Sequence, residues 1–141
     1  MKTDKKSAEK YIIHNPKSKK RSDKLNILRI HILPEFTKVD FGYVAKNHYD
    51  SGGWVQIYEN TFIRDFKTGK KYSFIKAENI SIAPEKKHFN SHLDYLYYSL
   101  YFEPIPADTK TIDIIENEED DNRFFNFYKV RLDSAEKVQM L

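Results

Sequence analysis

The stretch from Tyr95 to Glu116, YLYYSLYFEPIPADTKTIDIIE, constrains this chain most, because it spells out two strands and the turn between them. Leu96, Tyr98, Leu100 and Phe102 alternate with Tyr95, Tyr97, Ser99, Tyr101 and Glu103. A period of two separates them onto the two faces of a strand, one apolar and one amphipathic or polar. Pro104 and Pro106 then remove two backbone donors and fix φ, which ends ladder pairing and forces a bend. Thr111 to Ile115 resumes as a second strand. An antiparallel β fold is the architecture that uses this punctuation.

The same pattern recurs along the chain. Leu28, Ile30 and Ile32 oppose Arg29 and His31 until Pro34; Val39, Phe41 and Tyr43 then oppose Lys38, Asp40 and Gly42 within a strand expected over Phe36 to Ala45. The loop AKNHYDSGG collects turn-forming residues, and Trp54 to Tyr58 follows as a core strand. Thr61 to Asp65 and Lys71 to Ile75 flank FKTGKK, where Gly69 can supply the positive φ of a tight hairpin. Glu78 to Ile82 reads as an edge strand before Pro84, and Phe124 to Leu132 completes the series after the acidic turn ENEEDDN. Seven to nine short strands, with no helix long enough to cross over a parallel sheet, predict an antiparallel two-sheet sandwich over residues 25–132.

A chain of 141 residues fits one domain with short appendages, and its ten Tyr and ten Phe suit a strand-built core. The formal charge of +3 conceals an asymmetry. Residues 1–24 hold nine Lys or Arg against three Asp or Glu, and the remainder holds 15 against 18. Residues 1–24, polar and broken by Pro16, are therefore expected to form a mobile basic tail. Lys17, Lys19, Lys20, Arg21 and Lys24 would let it contact a polyanion. Residues 133–141 are expected to form a short terminal helix or a frayed end.

Cysteine is absent, so disulfides, zinc thiolates and thiol nucleophiles are excluded. The N-terminus lacks the apolar run of a signal peptide, and no apolar stretch approaches the ~18 residues of a membrane span, so no membrane insertion is expected. If the chain is the complete primary product, these features predict a cytoplasmic protein.

The phrases GGWVQIYENTFIRDFKTGKKYSF, LYYSLYFEPIPADTKTIDIIE and FFNFYKVRL resemble a family of small bacterial immunoglobulin-like β-sandwich domains. Trp54, Gly69, Lys70, Lys71 and Tyr72 match its Trp-bearing strand and following hairpin; Phe102, Pro104, Pro106, Thr109, Asp113, Ile115 and Glu116 match its later strand and turn. The resemblance covers roughly residues 25–132. It implies an immunoglobulin-like scaffold and a structural or binding module with no catalytic residues to carry over. Members often stand beside thioredoxin-like or other domains in exported proteins, so a mature fragment would be extracytoplasmic.

Candidate chemistry is sparse. His88 and His92, with Glu85 and Asp94 nearby, have a helical metal-ligand spacing in a stretch that reads as a loop. Glu116, Glu118, Glu119, Asp120 and Asp121 could offer oxygens to calcium but lack EF-hand spacing. No G-x-S-x-G elbow or phosphate-cradling glycine loop is present, and Asp113 and Glu116 would face opposite sides of a strand. No catalytic residue, metal or cofactor is assigned. Tyr95, Tyr97 and Tyr101 remain as candidate partner-binding residues, since a tyrosine row gives rigid amphipathic contact area, with packing inside the sheet as the competing reading. The function expected is a noncatalytic module binding a protein partner or assembly; the alternative is a nucleic-acid-associated protein using its basic tail.

Overall fold

A computed structural model describes residues 9–20, 25–44, 54–55, 57–80, 87–88, 95–119, 125–133 and 137–140. Twelve strands run through them: β1 (Lys10–His14), β2 (Lys19–Lys20), β3 (Leu25–Ile32), β4 (Thr37–Val44), β5 (Trp54–Val55), β6 (Phe62–Asp65), β7 (Lys71–Glu78), β8 (Lys87–His88), β9 (Tyr95–Phe102), β10 (Thr111–Ile115), β11 (Phe127–Arg131) and β12 (Lys137–Met140). No helix occurs among the described residues. The all-β, antiparallel class expected from the alternation is the class observed.

Ten strands form one hydrogen-bonded series, β12–β1–β3–β4–β9–β7–β6–β10–β11–β2, while β5 pairs with β8 apart from it. The series is curled. Phe41 on β4 lies 5.8 Å, centroid to centroid, from Phe127 on β11, and Tyr43 lies 5.7 Å from Phe125. In a flat sheet, β4 and β11 would stand about 24 Å apart, five spacings of about 4.8 Å. The sheet must therefore turn back until its halves share one core, filled by Ile30, Val39, Leu100, Phe102, Ile112 and Val130 among others.

The turn is made within β7. Lys71 to Ser73 pair with β6, whereas Phe74 to Glu78 pair with β9, and the register shifts between Phe74 and Lys76. A bulge adds local twist, so an interruption here lets one strand serve both halves. Tyr72 and Phe74 face inward before it and Ala77 after it, so that Ile75, 52% exposed, and Lys76 both stand outward. A second bulge between Ile27 and Arg29 changes parity within β3: Leu25 and Ile27 point inward before it, Ile30 and Ile32 after it. Leu28, expected on the apolar face, instead helps line an outer groove.

Two expectations about the termini are corrected. Within residues 1–24, Lys10–His14 is a paired strand whose Ile13 is fully buried, and Lys19–Lys20 pairs with β11. Tyr11 and Ile13 on one side and Lys10 and His14 on the other are a strand pattern, hidden by the surrounding lysines. Asn15, at φ 45°, and the buried Pro16 carry the chain from β1 on β3 to β2 on β11. The crossing links the two far regions of the curled sheet, helped by Arg131 N donating to Lys17 O at 2.9 Å. At the other terminus, Lys137–Met140 pairs antiparallel with β1 where a helix or frayed end is expected.

The hairpin between β6 and β7 follows the sequence closely. Gly69 adopts φ 78° and donates to Asp65 O at 2.9 Å, while Asp65 Oδ1 accepts from Lys67 N and Thr68 N. An Asp side chain that mimics a backbone turn and a Gly in the left-handed region close the loop together.

Candidate functional site

The outer face of β1, β3, β4, β9 and β7 is where sequence alternation and strand pairing concentrate polar side chains. Strand registry sets them in ladders. One runs His14, Arg29, Asp40, Ser99, Glu78; the next runs Val138, Ile12, His31, Lys38, Tyr101, Lys76. A third places Asn26, Gly42 and Tyr97 opposite one another. Gly42 carries no side chain, so nothing from β4 stands between the other two.

Asp40 is the hub. Its Oδ2 accepts from Arg29 Nε at 3.0 Å and from His31 Nε2 at 2.9 Å, its Oδ1 accepts from Ser99 Oγ at 2.6 Å, and Lys38 Nζ lies 3.7 Å away. Burial alone would raise its pKa, but hydrogen bonds from His31 and Ser99 and the charges of His31 and Lys38 outweigh it. The carboxyl is held well below its ordinary value, so Asp40 is a fixed negative charge enclosed by donors.

Asp40, His31 and Ser99 supply the residue types of a hydrolase triad in a different connection. In such a triad the imidazole sits between the acid and the hydroxyl and takes the hydroxyl proton. Here the Ser99 hydroxyl and His31 Nε2 both donate to the carboxylate of Asp40. That leaves no base on Ser99 Oγ among the described residues, and the cluster orders charge across three strands.

The three tyrosines singled out in the sequence separate. Tyr97 is 62% exposed and lines a groove of about 270 Å³ with Leu28, Arg29, Asp40, Asn79 and Ser99. Tyr101 is only 8% exposed: Lys76 Nζ lies 4.6 Å and Lys38 Nζ 5.7 Å from its ring centroid, and Phe36 meets its edge at 5.0 Å. Its hydroxyl donates to the Glu78 carboxylate, and that bond, with burial and the Glu78 charge, pushes its pKa up to about 12. Tyr101 is packed within the sheet. Tyr95 opens β9 opposite Val44, and its side chain lies outside the described residues.

Of the basic candidates, Lys17 and Lys19 are exposed, Lys20 is placed as part of β2, and Arg21 and Lys24 lie outside the described residues. Sequence reasoning missed the grouping of Arg29, His31, Lys38 and Lys76, because it depends on which strands become neighbours. The available signal was the outward parity of each within its own strand.

The acidic pair of the later phrase is divided as its spacing predicts. Asp113 pairs with Arg64 at 3.1 Å and accepts from Lys129 N at 2.9 Å, which anchors the β10–β11 irregularity where Lys129 adopts φ 52°. Glu116 turns into the core, 5% exposed, and accepts from Phe125 N at 2.8 Å. Burial pushes its pKa up to about 7, against the backbone hydrogen bonds of Phe125 and Tyr58.

No group of three His, Asp or Glu arranged for a metal ion occurs among the described residues. His88 is described only as part of β8, while Glu85, His92, Asp94, Asp120 and Asp121 lie outside the described residues. Glu118 contacts Arg64 and Lys71, each at 3.6 Å, so it and Glu116 serve different surroundings. No helix of the described residues is long and apolar enough to cross a membrane.

A second concavity, of about 400 Å³, lies where the β3–β4 turn meets the proline corner, with Leu33, Pro34, Tyr72, Pro104 and Pro106 on its walls and Glu9, Lys70 and Asp108 beside them. Comparison of the chain with protein-family models, curated proteins and solved structures finds no match.

Proposed function

We propose that this chain is a noncatalytic β module that binds a protein partner through the outer face of β1, β3, β4, β9 and β7. The observation that carries this reading is Tyr97, 62% exposed on a strand and set against an ordered polar cluster. A tyrosine on a rigid sheet offers contact area at low entropic cost, and such residues are common anchors of interfaces. The likeness of residues 25–132 to immunoglobulin-like sandwich modules is part of the same proposal, and the facing halves of the curled sheet are what support it. The test is affinity capture from the source organism with wild-type protein, Tyr97→Ala and Phe66→Ser. Phe66 is also exposed but lies in the β6–β7 turn. A specific protein lost with Tyr97→Ala, by about 30-fold or more in affinity, and kept with Phe66→Ser is the expected result. Equal capture by all three overturns the assignment of the face.

A second reading rests on the exposed Lys17 and Lys19, which with Lys20, Arg21 and Lys24 could contact nucleic-acid phosphates. It predicts a salt-dependent affinity for single- or double-stranded oligonucleotides that falls when these five residues are changed to Gln. Salt-independent binding, or none, removes it.

A further inference from the structure

We infer that the outer face receives an acidic segment of its partner, an extended stretch whose carboxylates lie about four residues apart. This inference rests on the proposed use of that face and specifies its occupant. Residues 25–141 carry 15 Lys or Arg against 18 Asp or Glu, so this part of the chain is acidic on the whole. The five-strand face has the opposite balance. Lys10, Arg29, Lys38 and Lys76 are the fixed cations of its strands and Asp40 and Glu78 the fixed anions, with Glu103, just beyond β9, accepting from Ser73 N.

Both anions are already engaged from within. Asp40 is enclosed by Arg29, His31, Ser99 and Lys38, and Glu78 accepts the Tyr101 hydroxyl. One carboxylate cannot neutralise both Arg29 and Lys38, so positive potential remains at the rim. Arg29 keeps 48% of its side chain exposed and Lys38 30%, while Lys10 and Lys76 are exposed residues. Incoming carboxylates would find donors still open to solvent.

The placement of the cations favours a peptide over a nucleic acid. They form two groups, Arg29, His31 and Lys38 around Asp40 on β3 and β4 with Lys10 and His14 beyond them on β1, and Lys76 on β7 across Tyr101, with Asp40 and Glu78 in the ladder beside Lys38 and Lys76. A continuous phosphate backbone would run against both carboxylates. Single-stranded nucleic acid also uses successive aromatic platforms. Among the described tyrosines of β9, Tyr97 is exposed on this face and Tyr101 lies beneath its lysines. From β3 to β7 is three strand spacings, about 14 Å, which an extended peptide covers in about four residues. A peptide lying across the strands with acids at that separation meets both groups, and Tyr97, two ladders along β9, is left for flanking residues of the same partner.

The experiment measures binding by fluorescence anisotropy on the full chain. The probes are a short labelled peptide with Glu at positions i and i+4 and Leu between them, the same peptide with Gln for Glu, and a labelled oligo-dT strand. The proteins are wild type, the double variant Arg29→Gln/Lys76→Gln, Tyr97→Ala and a control, Lys67→Gln, in the β6–β7 turn; thermal melting confirms that each is folded. Expected is binding of the Glu peptide that weakens at least tenfold in the double variant and with Gln for Glu, but not in Lys67→Gln. Absence of Glu-peptide binding, or equal binding by wild type and the double variant, overturns the inference, as does tighter binding of oligo-dT. If captured partners depend on Tyr97 while the Glu peptide fails, the use of the face stands and its acidic occupant falls. If the Glu peptide binds as expected and capture is indifferent to Tyr97, the charge preference stands and the tyrosine anchor falls.

Discussion

At the scale of single residues, Glu116 is the group whose environment departs furthest from what a sequence conveys. It sits with Leu25, Phe41, Tyr98, Leu100 and Phe127 around a cavity of only about 10 Å³. Burial moves its pKa up from 4.5 to about 7, while its negative charge, after burial itself, helps push the buried Tyr98 well above 10. Between pH 4.5 and about 7 the folded chain holds a proton that the unfolded chain has released. Stability therefore falls as pH rises through that window, by up to about 3 kcal/mol once ionisation is complete. Glu116→Gln retains an oxygen for Phe125 N and has no charge to desolvate. Urea denaturation at pH 5 and pH 8 should show that slope in the wild type and a nearly flat response in the variant, with the variant more stable at pH 8. A wild-type slope of the opposite sign would refute the account.

Asp40 is the opposite case at the same scale. Its folded-state pKa is depressed, so the stability it contributes is present above the ordinary carboxylate range and is lost only as pH falls through its lowered value. Two acidic residues on the same sheet thus respond in opposite directions. Asp40 faces donors at the surface, and Glu116 faces rings and aliphatic chains.

At the scale of elements, β1 changes the reading of the N-terminus. A segment that looks like a charged tail carries Ile13, fully buried in the core, and gives β12 its only described partner. Ile13→Ala should cost about 2–4 kcal/mol, as expected for a buried Ile reduced to Ala, measured by urea denaturation. A loss under about 0.5 kcal/mol, the usual range for surface changes, would restore the mobile-tail reading. The Tyr95–Glu116 stretch fared better: Leu96, Tyr98, Leu100 and Phe102 are all buried, Thr37 Oγ1 accepts from Ile105 N at 3.1 Å in the proline turn, and β10 resumes at Thr111. Its signal is local, since alternation and proline act on their own strand wherever that strand docks.

At the scale of the whole molecule, the curled sheet has a hierarchy of protection. β4 and β9 lie inside the hydrogen-bonded series and carry Val39, Phe41, Leu100 and Phe102, whereas β12 and β2 end it. Native-state hydrogen exchange should find the amides of β4 and β9 the slowest and those of β12 and β2 the fastest among the strands. Slow exchange throughout β12 would mean that its outer edge is covered in solution, as by a second copy or a partner.

Alternation, prolines and Gly69 were enough to specify an antiparallel β protein, most strand positions and the outward parity of Arg29, His31, Lys38, Asp40, Tyr97 and Ser99, because each depends on a residue and its near neighbours. Tertiary structure decided three further matters. The bulges in β3 and β7 set which side Leu28 and Lys76 take, since a single extra residue reverses parity and leaves little trace in composition. The pairing of β7 with both β6 and β9 made one curled sheet, a choice between partners far apart in the chain. Finally, the register of β3, β4 and β9 turned three separately polar strands into one surface, burying Tyr101 beneath lysines and leaving Tyr97 exposed. The chain wrote each strand's two faces, and long-range hydrogen bonding determined which faces became neighbours.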